Sequence, residues 1–501
     1  MNLIIMPVII YLGSAFVIPL LFRKDEKWAG FTASIFTFLA LLVSLLLGMH
    51  ILSEGRLIAF AGGWKEPLGI ALMVDPLSAV FLIVTNLVAF LIVVYAITYM
   101  KKYTGTVHFY VLFMLMLAGM NGVLISMDIW NLFVFFEIAS LASYILVAFG
   151  LRAEEMEAAL KYTVMGFLAS TFILFAMALV YGLTGTLNIP DFMNAVAGLP
   201  HTHMWFIVGL FISGFGLKMA LVPFHTWLPD AHSMAPAPVS ALLSGLFIKV
   251  IGFYCIIRLA ANVFGEIYQI KTVLIILGVV TMVLGGIMAY GQKNIKRLFA
   301  YSSISQIGYC AIALGIGGYL GYLGALMHFI GHAFSKSLLF LNIGAIEYVK
   351  GTTESEDLKG INDQMPYTTL LSNTGMLGIA GIPPMGNFWS KLIIILAAVR
   401  AGYTGVAVLC ILVAVLTLGY FLKLMRTVYY SKPEMKAEKK EAPLAMLVPM
   451  IALGFMVFFA GILLLPAIRT VTLDRAVNVM ENFSYKTLHI PAQHDNAQLN
   501  D

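Results

Sequence analysis

The chain has 501 residues, 61% hydrophobic and 11% charged, with a net charge of +5. Its mean hydropathy is +0.93, and soluble domains carry about 25% charged residues. These values exclude an ordinary soluble protein and point to an all-α polytopic membrane protein.

A helix needs about 20 mostly apolar residues to cross a bilayer. Fourteen stretches qualify: 2–22, 29–52, 76–99, 109–127, 129–149, 160–183, 204–222, 239–260, 272–290, 302–320, 322–347, 367–400, 404–428 and 443–466. No basic cluster precedes the first, so it reads as a transmembrane helix and not a cleaved signal. Residues 53–75 hold Gly-Gly-Trp and Val-Asp-Pro and predict a short external hairpin. Residues 184–203 predict an external loop. The polar tail after Pro466 predicts a short external helix followed by disorder.

Lysine and arginine set the orientation. Loops after odd-numbered spans carry Arg23, Lys24, Lys27, Lys101, Lys102, Arg152, Lys293, Lys296, Arg297, Lys350, Lys359, Lys432, Lys436, Lys439 and Lys440. Loops after even-numbered spans, with the span ends beside them, carry mainly Arg56, Lys65, Arg258, Lys271 and Arg400. The odd loops are expected in the cytoplasm and both termini outside.

Span seven is interrupted by Pro223 close to Lys218. Span twelve is interrupted by Pro383, Pro384 and Gly386 close to Lys391. A proline frees the carbonyl four residues earlier, here Met219 in the first break and Ile379 and Ala380 in the second. Paired broken helices are the sequence mark of inverted repeats with an ion site in each. The expected division is 1–100 (helices one to three), 101–262 (first repeat, helices four to eight), 263–430 (second repeat, helices nine to thirteen) and 431–501 (helix fourteen and tail).

Charged residues inside the apolar runs are the chemical feature. Glu137 lies mid-span in span five. Lys161 lies near the start of span six, beside Glu154, Glu155 and Glu157. Lys218, Lys249, Lys336 and Lys391 lie in spans seven, eight, eleven and twelve, and His328, His332 and Lys336 share one face of span eleven. Exposed to lipid at roughly 3 kcal/mol each, Glu137 and the five lysines would cost about 18 kcal/mol. That exceeds the net stability of about 5–15 kcal/mol of a typical protein, so these groups must pair, meet water or lose their charge. A buried lysine lacking a partner releases its proton more readily, and a nearby carboxylate restores the charged form. Glu137 near Lys218 would therefore act as a switch, and histidines can relay protons near neutral pH.

Blander readings stand beside these. Glu137 could be a structural ion pair, Lys249 could bind a carbonyl at the break, and Lys336 and Lys391 could snorkel. Lys161 could be a solvated helix end, and His328 and His332 could be packing histidines. His225, Asp230 and His232, at the first break, could line a channel entrance or cap a half-helix. His328 and His332 have metal-ligand spacing but no evident third ligand, so no metal is expected. The three cysteines form no Cys-x-x-Cys pair and no phosphate-binding loop opens a helix, so no cofactor is expected. Nor is a nucleic-acid partner.

At Asp-Ile-Trp-Asn-Leu-Phe-Val-Phe-Phe-Glu (128–137), Lys-Met-Ala-Leu-Val-Pro-Phe-His-Thr-Trp-Leu-Pro-Asp-Ala-His (218–232), His-Phe-Ile-Gly-His-Ala-Phe-Ser-Lys (328–336) and Gly-Ile-Pro-Pro-Met-Gly-Asn-Phe-Trp-Ser-Lys (381–391), the chain resembles a known family. This is the antiporter-like subunit family shared by respiratory complex I, Mrp cation/proton antiporters and membrane-bound energy-converting hydrogenases. The resemblance covers about 100–430. It implies two inverted five-helix repeats with broken helices seven and twelve. It also implies Glu137 and Lys218 as a switching pair, Lys249 as the central relay, Lys391 as the distal exchange residue, and His328, His332 and Lys336 along the axis between. Lys391 stands where one complex I subunit type has glutamate, so the chain looks more like the D-type Mrp subunit or its hydrogenase relatives. No long lateral helix follows span fourteen, which suggests an inner member of a row of subunits.

The expected function is proton translocation, with sodium coupling open, in the cell membrane of a prokaryote. The expected partners are further antiporter-like membrane subunits, the bilayer and, in a redox-driven complex, a hydrophilic redox arm carrying the cofactors. A gradient-driven Na+/H+ antiporter component without redox partner and a structural scaffold without an ion path are the alternatives; a nutrient carrier is disfavoured.

Overall fold

The computed structural model describes residues 2–22, 26–64, 69–196, 198–264, 268–432 and 439–482. Arg23, Lys24, Lys65, Lys436 and the tail beyond 482 lie outside the described residues. Thirteen described helices are long and apolar enough to cross a membrane. In order, spans one to eleven are Leu3–Phe22, Glu26–Glu54, Pro76–Lys102, Thr106–Ile125, Ile129–Val147, Ala153–Thr184, His201–Met219, Ala237–Leu259, Ile270–Tyr290, Ile295–Ile316 and Gly318–Lys350. Spans thirteen and fourteen are Thr404–Tyr429 and Leu444–Leu464. Span twelve consists of two 15-residue pieces, Pro366–Ala380 and Gly386–Arg400. The chain is a multi-pass, all-α membrane protein.

Local chemistry sets the span ends. Asp75 caps span three in a capping box with Ser78, and Pro76 follows at the first helical position. Asp128 and Asn294 cap spans five and ten by accepting from the amides of Asn131 and Arg297.

The loops separate onto two faces. On one, β1 (Leu57–Phe60) pairs antiparallel with β2 (Ala71–Val74), forming the expected hairpin. The Met127 amide donates to Ala71 and the Ile189 amide to Met127. Asn262 reaches the Val479 carbonyl, and Tyr319 donates to Asp474. These bonds gather the loops after spans two, four, six, eight and ten around the tail helix Leu473–Glu481. On the other face, Glu26 accepts from the Thr106 amide and hydroxyl. Ile295 donates to Thr353, Gly360 to Val428, and Lys440 to Gln364. The chain alternates faces with every span, as an odd–even reading of the loops requires.

Two expectations need correction. Residues 184–203 are not loop throughout: Ile189–Val196 is a helix burying Ile189, Phe192 and Val196 on one face. Eight residues are too short for a hydropathy scan to separate from a loop. Arg258, counted with the charges of the even-numbered loops and span ends, does not face solvent. It is buried at the end of span eight and bonds both oxygens of Asp75 at 2.7 Å.

Both helix breaks occur where the prolines placed them. Span seven ends at Met219, with Ala220 in the left-handed conformation (φ 59°), and helix resumes at Trp227–Met234. In span twelve, Gly381 (φ 84°) closes the first piece, a position where a side chain would be strained. The backbone of span eight winds as a π-helix from Leu243 to Tyr254, with Lys249 at its middle, a local form found mostly as short bulges at functional sites.

Burial identifies the centre. The most apolar 18-residue stretches of spans eight and eleven are fully buried and that of span ten 94% buried, against 39% for spans two and six and 33% for span thirteen. The inner spans carry Lys249, His328, His332 and Lys336, which settles that these groups face protein and not lipid.

Candidate functional site

Three clusters follow one another through the interior. In the first, Glu137 on span five accepts a 2.5 Å hydrogen bond from Ser170 on span six. Lys218, fully buried at the last turn before the first break, donates to Ser140 Oγ at 2.9 Å and to the Tyr144 hydroxyl at 2.6 Å. Its ammonium lies 4.7 Å from the centre of the Phe136 ring. Glu137, Ser140 and Tyr144 share one face of span five, three and four residues apart. Glu137 and Lys218 form no ion pair: Lys218 is held by Ser140 and Tyr144, and Glu137 by Ser170. Gly166 allows this arrangement, because a Cβ there would come within 1.8 Å of the Tyr144 hydroxyl.

The second cluster surrounds the π-helical turn. Lys249 donates to the Ser244 carbonyl of its own helix. The hydroxyls of Ser244 and Ser303 lie 2.7 Å apart, and Ser303 is anchored on the Phe299 carbonyl. That carbonyl also accepts from Lys336 at 2.9 Å. Gly252 lets the break of span seven pack against span eight, because a Cβ there would meet the Met219 backbone at 2.8 Å. The two clusters thus adjoin through residues next to Lys218 and one turn from Lys249. His232 and His332 are fully buried or nearly so, and no protein atom bonds any of their ring nitrogens. The fields of Lys249 and Lys336 reach both rings.

The third cluster is the second break. His328 Nδ1 is 3.0 Å from Ser390 Oγ, and its ring stacks on Tyr309. Lys391 donates to the carbonyls of Ile379 at 2.7 Å and Ala380 at 3.2 Å, the two carbonyls that Pro383 and Pro384 free.

Among the described residues, Lys218, Lys249, Lys336 and Lys391 form no ion pair; hydroxyls and carbonyls hold them. An amine solvated only by dipoles exchanges its proton more readily than one paired with a carboxylate. Orphaned polar atoms of His232, His332, His328, Gln306 and Asn387 occur along the same line, and such groups are ordinarily satisfied by internal water.

Lys161 stands apart. Its side chain is half exposed and bonds Glu157 at 2.8 Å and Asp230 at 3.1 Å. Asp230 also pairs with Arg297 at 2.8 Å. Asp230 and the partly exposed His225 lie toward the outside of the break, whereas His232 joins the interior line.

Residues 126–417 match the family described as NADH:quinone oxidoreductase/Mrp antiporter, TM. The chain belongs to this family. All eleven side chains singled out from the sequence fall inside the matched segment. Residues 66–110 also match the NADH-Ubiquinone oxidoreductase (complex I), chain 5 N-terminus. The D-type Na(+)/H(+) antiporter protein of Alkalihalophilus pseudofirmus is 31% identical, over 92% of this chain and 94% of that protein. The N-type NADH-quinone oxidoreductase protein of Desulforudis audaxviator is 34% identical, over 80% of this chain and 84% of that protein. A chain in the structure of the membrane-bound sulfane sulfur reductase, an archaeal respiratory membrane complex, superposes with a TM-score of 0.89 at 31% identity, covering 96% of this chain and 98% of that one.

Three features of this family member are not legible in its sequence. Asp75 and Arg258 form a buried bidentate pair, with Tyr254 accepting from Arg258 Nε. Burial pushes the Asp75 carboxyl up, but the Arg258 guanidinium outweighs it and holds the group below its ordinary value. Lys296 and Glu347 pair at 2.9 Å, largely buried. Asn86 links Tyr11, Ser44 and Asn121 across the first four spans. Each joins residues far apart in sequence. Only the Arg258 and Lys296 charges offer a signal, and at the ends of spans it is the signal of a solvated loop.

Proposed function

We propose that this chain is an ion-translocating subunit of a multisubunit membrane complex, carrying protons along its interior. The complex would be of the Mrp antiporter type or a related respiratory type. The observation that carries this reading is the run of buried amines and imidazoles without carboxylate partners: Lys218, Lys249, Lys336, His328 and Lys391 are held by hydroxyls and carbonyls, and the His332 ring has both nitrogens open.

In this reading Glu137 and Lys218 are the switching pair. Movement of Glu137 away from Ser170 and toward Lys218 stabilises the ammonium; its return releases the proton inward. Lys249 receives it at the π-helical turn, His332, Lys336 and His328 pass it along span eleven, and Lys391 exchanges it at the second break. Lys161, with Asp230 and His225, lies at an entrance; His232 acts further inside. The halves 101–262 and 263–430 would be inverted repeats, flanked by 1–100 and 431–501. The face rich in lysine and arginine would be cytoplasmic, with both termini outside, in a prokaryotic cell membrane.

The relatives divide on the driving force: one is named for a Na(+)/H(+) antiporter and another for an NADH-quinone oxidoreductase. The purified complex in sealed liposomes, with wild type and Lys218→Ala, separates the outcomes. Proton movement driven by a sodium gradient alone marks an antiporter. Movement that requires an electron donor marks a redox pump with cofactors in partner subunits. Unchanged transport in Lys218→Ala refutes the relay.

A further inference from the structure

On the face opposite the hairpin, the segments after spans three, five, seven, nine and eleven line a polar cavity of about 330 Å³. Lys296 and Glu347 both line it, with side chains 4% and 17% exposed. Glu347 Oε2 accepts from Lys296 at 2.9 Å and from the Tyr99 hydroxyl at 3.1 Å. Tyr99 in turn accepts from the Ala237 amide, at the start of span eight. Lys296 Nζ also donates to the Ala235 carbonyl at 3.3 Å. Ser240 donates to that carbonyl and to the His232 carbonyl. The ring of His232, whose carbonyl this network binds, is fully buried with both nitrogens lacking a protein partner, within the fields of Lys249 and Lys336.

A stability role explains this pair poorly. Burying two charges is offset by their attraction only when geometry is excellent, and apolar residues of similar volume often serve as well. Here the pair lines the cavity on one side, and on the other it is linked to the His232 backbone through the Ala235 carbonyl, which Lys296 and Ser240 share. It is also distinct from the Lys161–Asp230–Arg297 cluster, which uses other residues.

We infer that Glu347 is a proton-uptake site: it takes protons from this cavity and passes them past Lys296 to His232 and the Lys249/Lys336 centre. A proton reaching the Glu347 carboxylate weakens its pairing with Lys296, frees that ammonium to turn inward, and moves on to a His232 nitrogen, which regenerates the carboxylate. The other ionisable groups facing Glu347 are Tyr95, Tyr99, Tyr103 and Lys102 from span three and its loop, and Arg152, Glu154 and Glu155 from span six at the cavity wall. This gives the second half its own access on the face where the Lys161–Asp230 pair lies, and it rests on the translocation reading above.

The test uses the intact complex in sealed vesicles with this face outward. Glu347→Gln keeps the shape and the Tyr99 contact, and is expected to slow proton uptake about tenfold with the amount of assembled complex unchanged. Met234 lines the same cavity, and the native cysteines Cys255, Cys310 and Cys410 are buried. A negatively charged, membrane-impermeant thiosulfonate should therefore block Met234→Cys from this face and leave the parent unaffected. Wild-type uptake in Glu347→Gln, or labelling of Met234→Cys without slowing, overturns the inference. Lys218→Ala in the same vesicles separates the two levels. If it stops transport while Glu347→Gln does not, only the uptake site falls. If Lys218→Ala transports normally, the translocation reading falls and takes the uptake site with it.

Discussion

Gly166→Ala probes the first cluster without touching a charged residue. A Cβ at 166 would lie 1.8 Å from the Tyr144 hydroxyl and 2.4 Å from its Cζ, so the tyrosine must move. Tyr162 packs edge-on against it, with ring centroids 4.6 Å apart, so small adjustments do not suffice. Lys218 then loses one of its two side-chain hydrogen bonds. A hydrogen bond to a charged group contributes about 1.5–3 kcal/mol, and about 1.4 kcal/mol is tenfold. A relay limited by loading Lys218 should therefore slow about 10- to 150-fold. The assay is initial proton movement in liposomes holding the intact complex, normalised to assembled complex. Tyr144→Phe, which removes only the hydroxyl, should give a loss of the same order. In a Tyr144→Ala background the clash and the bond are both already gone, so adding Gly166→Ala should change the rate by less than about twofold. Wild-type rates in Gly166→Ala, or losses that multiply in the double variant, would refute the argument.

Arg258→Leu leaves the buried Asp75 without a counter-charge, and should destabilise the protein by about 3–5 kcal/mol in thermal unfolding, with most of the loss recovered when Asp75→Asn is added. Because the folded Asp75 carboxyl titrates below its ordinary 3.8, the pair's contribution is complete above that pH and disappears as pH falls through the folded value; an acid titration of thermal stability should show this loss in wild type and not in the double variant. Lys391→Met leaves the Ile379 and Ala380 carbonyls uncapped and should both stop transport and destabilise by about 1–3 kcal/mol, while Lys391→Arg restores stability in the same melting assay. Lys161→Met, at an exposed ion pair, should leave transport within about twofold of wild type; a loss as deep as that of Lys218→Ala would move Lys161 onto the main path.

Much of the architecture was legible because hydropathy and proline act locally. The fourteen spans, both breaks and the hairpin follow from runs of apolar residues and from the donor that proline lacks. The Ile379 and Ala380 carbonyls freed by Pro383 and Pro384 are the ones Lys391 binds, 12 and 11 residues on in the same broken helix. The two corrections arise where local signals mislead. Ile189–Val196 is shorter than any hydropathy window, and Arg258 beside a loop reads as solvated until the fold brings Asp75 to it.

The sequence by itself determined that the chain crosses the membrane many times, and that Glu137 and the lysines within its spans cannot all face lipid, since the cost of exposing them exceeds what folding supplies. It did not determine their partners. Tertiary packing gave Lys218 to Ser140 and Tyr144 and Glu137 to Ser170, left the nitrogens of His232 and His332 open, set Lys161 at an exposed ion pair and brought Lys296 to Glu347. The physical reason is range. Helix formation and membrane insertion are decided within about 20 neighbouring residues, whereas each of these contacts joins different spans and exists only once the helices have packed.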